Sequence, residues 1–177
     1  VFISLPGVPH EMKHLMETQV LPKLKERFEF PKIIHKTMMT AGAGESVIAN
    51  KLKEVEEQLP AHIKLAYLPN LGVVKLRLTG SGEGGKLRRE IEEHKEKMKA
   101  VLGELVYTEG EDSLESFVGK MLLERNATVS CAESCTGGYI SHLFTSIPGS
   151  SKYFEGSIIS YSYDVKKNML GVDREML

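Results

Sequence analysis

Between Glu133 and Lys166 the chain concentrates side chains that can attack a carbonyl, move a proton or hold an anion. Ser134 follows a strand and precedes Cys135-Thr136-Gly137-Gly138, whose glycine pair opens a helix. Backbone N–H groups at such a helix start face the loop and suit a carboxylate, a phosphate or a developing oxyanion. A serine there can act as a nucleophile if a base reaches it. His142 is the nearest histidine and lies on the following helix, so Lys166, just past the next strand, is the better base. A crowded lysine can lose its proton near neutral pH, and Ser–Lys pairs cleave amides. Ser150, Ser151 and Tyr161 add polar groups able to orient either partner. Each residue also has a plainer reading. Ser134 or Thr136 can cap a helix, and Lys166 and Lys167 can be solvated surface charges.

The elements that position these groups follow from periodicity. Residues 127–131 suit a strand, 139–145 a helix, 156–161 a second strand and 165–170 a helical turn. Strand, loop, helix, loop, strand is how an open α/β sheet brings its active loops to strand ends. Ser134, Ser151, Tyr161 and Lys166 are therefore expected to converge. Upstream, residues 33–108 read as β-α-β-β-α-β, a small sheet covered by two helices. Ile48, Leu52, Val55 and Leu59 mark the first helix; Leu87, Ile91, Met98, Val101 and Leu102 mark the second. Ile63-Leu65-Tyr67 and Val74-Leu76-Leu78 alternate as a hairpin. The charged run from Lys86 to Lys99 reads as a solvated helix face, and Gly80 to Gly85 as a loop. Residues 109–113 form a polar hinge with Ser113 as N-cap. At the start, Val1 to Leu5 reads as the tail of a buried strand. A helix follows with Met12, Leu15, Met16, Val20 and Leu24 on one face, interrupted at Pro22. Both ends are expected to cut through domains.

Lys plus Arg number 23 against 24 Asp plus Glu, so neither a basic nucleic-acid coat nor an acidic tail is present. No apolar run approaches the roughly 20 residues of a membrane helix, and no signal peptide is visible. Cys131 and Cys135 lack the companions of a zinc knuckle and the spacing of a redox pair. They read as reduced thiols in a cytoplasmic protein.

The ordered set Ala132-Glu133-Ser134-Cys135-Thr136-Gly137-Gly138, Pro148-Gly149-Ser150-Ser151, Phe154-Glu155-Gly156, Tyr161-Ser162, Lys166 and Leu170-Gly171-Val172 closely resembles the C-terminal domain of the CinA family. That family includes competence/damage-inducible protein A and nicotinamide mononucleotide deamidases. Leu5 to Met12 resembles the end of its molybdopterin-binding-like domain, and residues 33–108 fall where it has a KH-like domain. The resemblance thus implies an α/β and α+β chain: the tail of a molybdopterin-binding-like domain over 1–32, a KH-like middle domain over 33–110, and the first half of the amidohydrolase domain over 111–177. It implies deamidation of nicotinamide mononucleotide to nicotinic acid mononucleotide and ammonia, in pyridine nucleotide recycling. Ser134 and Lys166 are then nucleophile and base, Ser151 a relay or second hydroxyl, and Tyr161 an orienting group. Which serine attacks stays open. Glu133, Thr136, Gly137, Gly138 and Ser150 are expected to bind substrate. The deamidation needs no metal or organic cofactor. The family's N-terminal domain is associated with ADP-ribose pyrophosphatase activity using a divalent metal. A homodimer is expected. The chain departs from the family at Tyr163, where Asn is usual, and it stops before the family's second glycine-rich loop, so poor turnover by the chain alone is expected. The rival reading is a KH-like nucleic-acid-binding or assembly module, which calls for a basic face beside Gly80 to Gly85.

Overall fold

The computed structural model describes residues 1–82 and 84–176; Glu83, inside the expected Gly80–Gly85 loop, and Leu177, the end of the expected third domain, lie outside the described residues. The chain begins with a helical segment: α1 (Pro9–Leu15), a π turn (Met16–Val20) and α2 (Leu21–Arg27). Pro22 has no N–H to donate and crowds the carbonyl four residues back, and the wider π turn before it absorbs the mismatch. Met12, Leu15, Met16, Val20 and Leu24 are the half-buried residues of this segment, while its other residues are exposed. The strand expected over Val1 to Leu5 does not form. A strand needs a hydrogen-bonded neighbour, and none of the described strands lies beside it.

The middle of the chain runs β1 (Ile33–Ala41), α3 (Glu45–Glu57), β2 (Ile63–Asn70), β3 (Val73–Ser81), α4 (Gly84–Leu102) and β4 (Val106–Glu109). The strands form one antiparallel sheet in the order β2-β3-β1-β4. Alternation along β3 sends Val74, Leu76 and Leu78 to a core shared with Ile48 and Leu52 of α3 and Ile91 and Met98 of α4. Each such side chain contributes roughly 1.5–3 kcal/mol when removed from water. A Cβ on Gly80 would lie 2.6 Å from Leu87 and 2.8 Å from Ile91, so α4 packs directly on the β3 backbone. Except for Tyr153, every fully buried apolar residue described comes from this region.

Two expectations for α4 need correction. Val101 faces solvent. The charged run is not solvated throughout: Lys95 is only 5% exposed and pairs with Glu92, Glu96 and Glu109. The last of these ties α4 to β4.

The expected hinge is pinned at several points. Glu109 also pairs with Lys99, Glu111 pairs with Lys75 of β3, and Gly110 N–H donates to the Thr37 carbonyl at 3.0 Å. Beyond it, α5 (Leu114–Glu124) is capped by Ser113, whose Oγ accepts the Ser116 N–H at 3.4 Å. Asp112 pairs with Lys120 at 2.6 Å, and the Tyr107 and Phe117 rings meet at 5.4 Å between centroids. The remaining elements are β5 (Val129–Glu133), α6 (Tyr139–Thr145), a 3₁₀ turn (Ser150–Lys152), β6 (Phe154–Ile159), α7 (Tyr163–Leu170) and a further 3₁₀ turn (Arg174–Met176). β5 and β6 pair in parallel. Among the described residues no helix is long and apolar enough to cross a membrane.

Candidate active site

The site begins with the parallel pairing of β5 and β6, which places the two strand exits side by side. Glu133 is opposite Ile159, and just beyond, Ser160 donates its N–H to the Glu133 carbonyl at 2.7 Å. Ser160 Oγ donates to the same carbonyl at 3.2 Å. Ser134 follows one partner of this contact and Tyr161 follows the other, so both leave the sheet from the same end. β6 stops at Ile159, and Tyr161 is two residues past the strand and 76% exposed rather than its last residue. Lys166 lies in the first half of α7, a helix capped by Ser162, whose Oγ accepts the Val165 N–H at 3.3 Å. Its side chain is half-buried, with Nζ 5.4 Å from the centroid of the Tyr163 ring.

Ser150 and Ser151 sit elsewhere. They belong to the 3₁₀ turn that enters β6, at the level where Val129 N–H donates to the Tyr153 carbonyl at 2.7 Å. From Val129 to Glu133 the strand rises about 13 Å. The expected convergence of Ser151 with Ser134 is therefore not met within one copy of the chain, because a parallel strand enters and leaves at opposite ends. Ser150 is buried in that turn.

Glu133 also differs from expectation. Its side chain does not reach outward to a ligand. The residue is 2% exposed and its carboxylate turns under the start of α6. One oxygen accepts the N–H groups of Gly138 at 3.1 Å and Ile140 at 3.0 Å; the other accepts the Ser141 N–H at 2.9 Å and the Ser141 hydroxyl. Burial pushes this carboxyl upward, but the hydrogen bonds from the Ser141 side chain and backbone, the Thr136 side chain and the Ile140 backbone outweigh it and hold it at about 2. It is an anion at any working pH, seated where the helix start attracts negative charge.

That arrangement narrows the choice of oxyanion donor. The Gly138 N–H is taken by Glu133, and the Gly137 N–H donates to the Ser134 carbonyl at 3.1 Å. Of the three amides expected to face a ligand, that of Thr136 has no acceptor among the described residues. The glycines serve the turn instead: Gly137 has φ +61° and Gly138 φ +95°. A Cβ on Gly138 would also lie 2.8 Å from Ile159.

Sequence reasoning missed Ser141 and Ser160. Nothing in their spacing separates them from ordinary surface serines, because Ser141 meets Glu133 only once α6 folds back over β5, and Ser160 only once β6 pairs with β5. A cleft of about 590 Å³ lies beside the strand exits, lined by Ser162, Tyr163, Asp164, Lys167 and Arg174. Ser134 and Lys166 are not on its described wall.

Among the described residues one acidic cluster has the spacing to hold a cation, and a divalent metal fits it poorly. The acidic oxygens of Glu92, Glu96 and Glu109 lie within 4.8 Å of one another, but the Lys95 ammonium already pairs with all three. This fixed cation takes the place an ion would need.

Comparison with known proteins gives two family matches that together span most of the chain. The CinA C-terminal domain matches residues 111–177, and the damage-inducible protein CinA KH domain matches residues 35–108. A CinA-like protein of Flavobacterium psychrophilum is 47% identical over 179 aligned residues, covering 100% of this chain and 43% of that protein. One from Cytophaga hutchinsonii is 44% identical, with 100% and 43% covered. The chain thus spans less than half the length of these curated relatives. A crystal structure of competence damage-inducible protein A from Klebsiella pneumoniae is similar over 34% of this chain and 37% of that one, at 28% identity and a TM-score of 0.33.

Proposed function

The chain belongs to the CinA family, and we propose that its C-terminal unit supplies the nucleophile and base of a site that deamidates nicotinamide mononucleotide. The observation that carries this reading is the Ser160 N–H to Glu133 carbonyl bond at 2.7 Å, which sets the exits of β5 and β6 side by side. Ser134 and Tyr161 are the next residues on either side of it, and Lys166 follows half a helix later.

In the proposed reaction, Ser134 Oγ attacks the carboxamide carbon while the Lys166 amine accepts the hydroxyl proton. The Thr136 N–H donates to the developing oxyanion. Collapse breaks the carbon–nitrogen bond, and the lysine ammonium returns its proton to the departing nitrogen, giving ammonia and an ester at Ser134. Water, deprotonated by the same lysine, then attacks the ester carbon; the bond to Ser134 Oγ breaks, the lysine ammonium returns its proton to that oxygen, and nicotinic acid mononucleotide is released. Tyr161 orients the lysine or the substrate. Proton transfer asks for approach to about 3 Å or through one water. Ser151 has no direct part in this scheme within one copy of the chain. The dimer and the pyrophosphatase activity expected from the resemblance concern the whole protein and stand as proposals for it.

The test is an ammonia-release assay on nicotinamide mononucleotide, run with the chain, the complete gene product, and Ser134→Ala and Lys166→Ala in the latter. The complete protein should turn the nucleotide over, and each substitution should lower kcat by about 1,000-fold or more, with unfolding unchanged. Wild-type turnover by both variants overturns the reading.

A further inference from the structure

We propose that Glu133 is a positioning residue for Ser134: its buried carboxylate and its carbonyl together fix the loop on which the nucleophile sits. The inference rests on the proposed role of Ser134. Residues 133 to 141 supply the physical case. The carboxylate gathers three backbone N–H groups and one hydroxyl from α6 and the residue before it, and the carbonyl of the same residue gathers the N–H and Oγ of Ser160 at the exit of β6. One residue therefore ties β5, β6 and α6 together, and Ser134 is bonded directly to it. The Gly137 N–H to Ser134 carbonyl bond closes the loop from the other side. Both peptide units flanking Ser134 are thus held, and the hydroxyl is left to swing only about its own side-chain bond.

The placement explains why a carboxylate stands here. At least four donors converge on it, and a carboxylate offers acceptors alone, about four lone-pair sites on two oxygens. Glutamine offers one acceptor oxygen and turns an NH₂ toward at least one N–H, leaving a buried donor unsatisfied. The loop must then shift to relieve that contact. A nucleophile displaced by about 1 Å loses on the order of 100-fold in rate, while groups that hold the rest of the nucleotide are not touched.

The experiment measures kcat and KM for ammonia release in the complete protein carrying Glu133→Gln, Ser141→Ala or Ser134→Ala, with the folded fraction of each set by thermal unfolding. Glu133→Gln should keep KM within about twofold and lower kcat, per folded molecule, by about 10- to 100-fold. Ser141→Ala removes one of these donors and should lower kcat by about 3-fold or more, again at constant KM. A folded Glu133→Gln with wild-type kcat overturns the inference. If that variant does not fold, Ser141→Ala decides, and an unchanged kcat there overturns it equally. A Ser134→Ala protein with wild-type turnover instead removes the reading on which the inference stands, a result distinct from either.

Discussion

Gly119→Ala is the substitution for which general propensity and this fold give opposite signs. Gly119 lies inside α5, where replacing glycine by alanine ordinarily gains about 1 kcal/mol. Here the added Cβ would lie 2.5 Å from the Tyr153 Oη, 2.7 Å from Cζ and 3.1 Å from Cε1. The Tyr153 ring cannot step aside, because it is 2% exposed and has the Phe144 ring edge-on at 6.2 Å. Overpacking a rigid, buried contact costs about 1–3 kcal/mol, and two contacts below 3 Å put this case at the upper end. The net expectation is a loss of about 2 kcal/mol, or roughly 10 °C for a unit of this size. Hydrogen exchange at the amides of α5, β5 and β6 is the suitable readout, since it reports this region separately from the better-packed middle sheet. Tyr153→Leu in the Gly119→Ala background removes the ring edge and should recover part of the lost protection. A Gly119→Ala protein more protected than wild type by the ordinary helix gain of about 1 kcal/mol would refute the packing argument.

Tyr153→Phe alone removes a buried hydroxyl that has no hydrogen-bond partner among the described residues; unfolding should show no loss and a gain of up to about 1 kcal/mol. The carboxyl of Glu109 is held at about 2 by hydrogen bonds from Lys95 and Lys99, which outweigh burial. Its folded value is below its unfolded one, so its stabilisation is complete above about 4.5 and is lost as pH falls toward 2. Urea titrations across that window should show a shallower acid limb in Glu109→Gln. Burial disfavours the charge on Lys95, but the hydrogen bonds it donates to Glu109, Glu92 and Glu96 prevail and raise its pKa. That contribution is present below the ordinary lysine value and lost only as pH rises through the raised one. Lys95→Met should lower stability at pH 7 by about 1–3 kcal/mol, since it leaves the carboxylates of Glu92, Glu96 and Glu109, within 4.8 Å of one another, without their shared cation. Ser151→Ala should change ammonia release by less than about 3-fold, against about 1,000-fold for Ser134→Ala; equal losses would show that Ser151 reaches the reaction by a route this single chain does not contain.

Local rules carried the sequence a long way. Period-two alternation in β3 and period-3.6 stripes in α3 and α4 named most of the middle core, because side-chain direction in a regular element follows from backbone geometry alone. The Ser113 cap and the irregular helix around Pro22 were legible for the same reason: each depends on groups within four residues. The stripe Met12-Leu15-Met16-Val20-Leu24 also picked out the half-buried face of the first helical segment.

What needed the folded chain was every contact between distant residues and every question of which end of a strand a group occupies. Spacing allowed Ser151 to join Ser134, but parallel pairing of β5 with β6 puts the entry and exit of β6 a strand length apart. The composition of α4 read as solvated, yet Lys95 is covered once β4 brings Glu109 across it. Glu133 read as a ligand-binding acid beside a serine. It became an internal brace only when α6 folded over β5 and offered amide donors whose hydrogen bonds outweigh the cost of burying a charge.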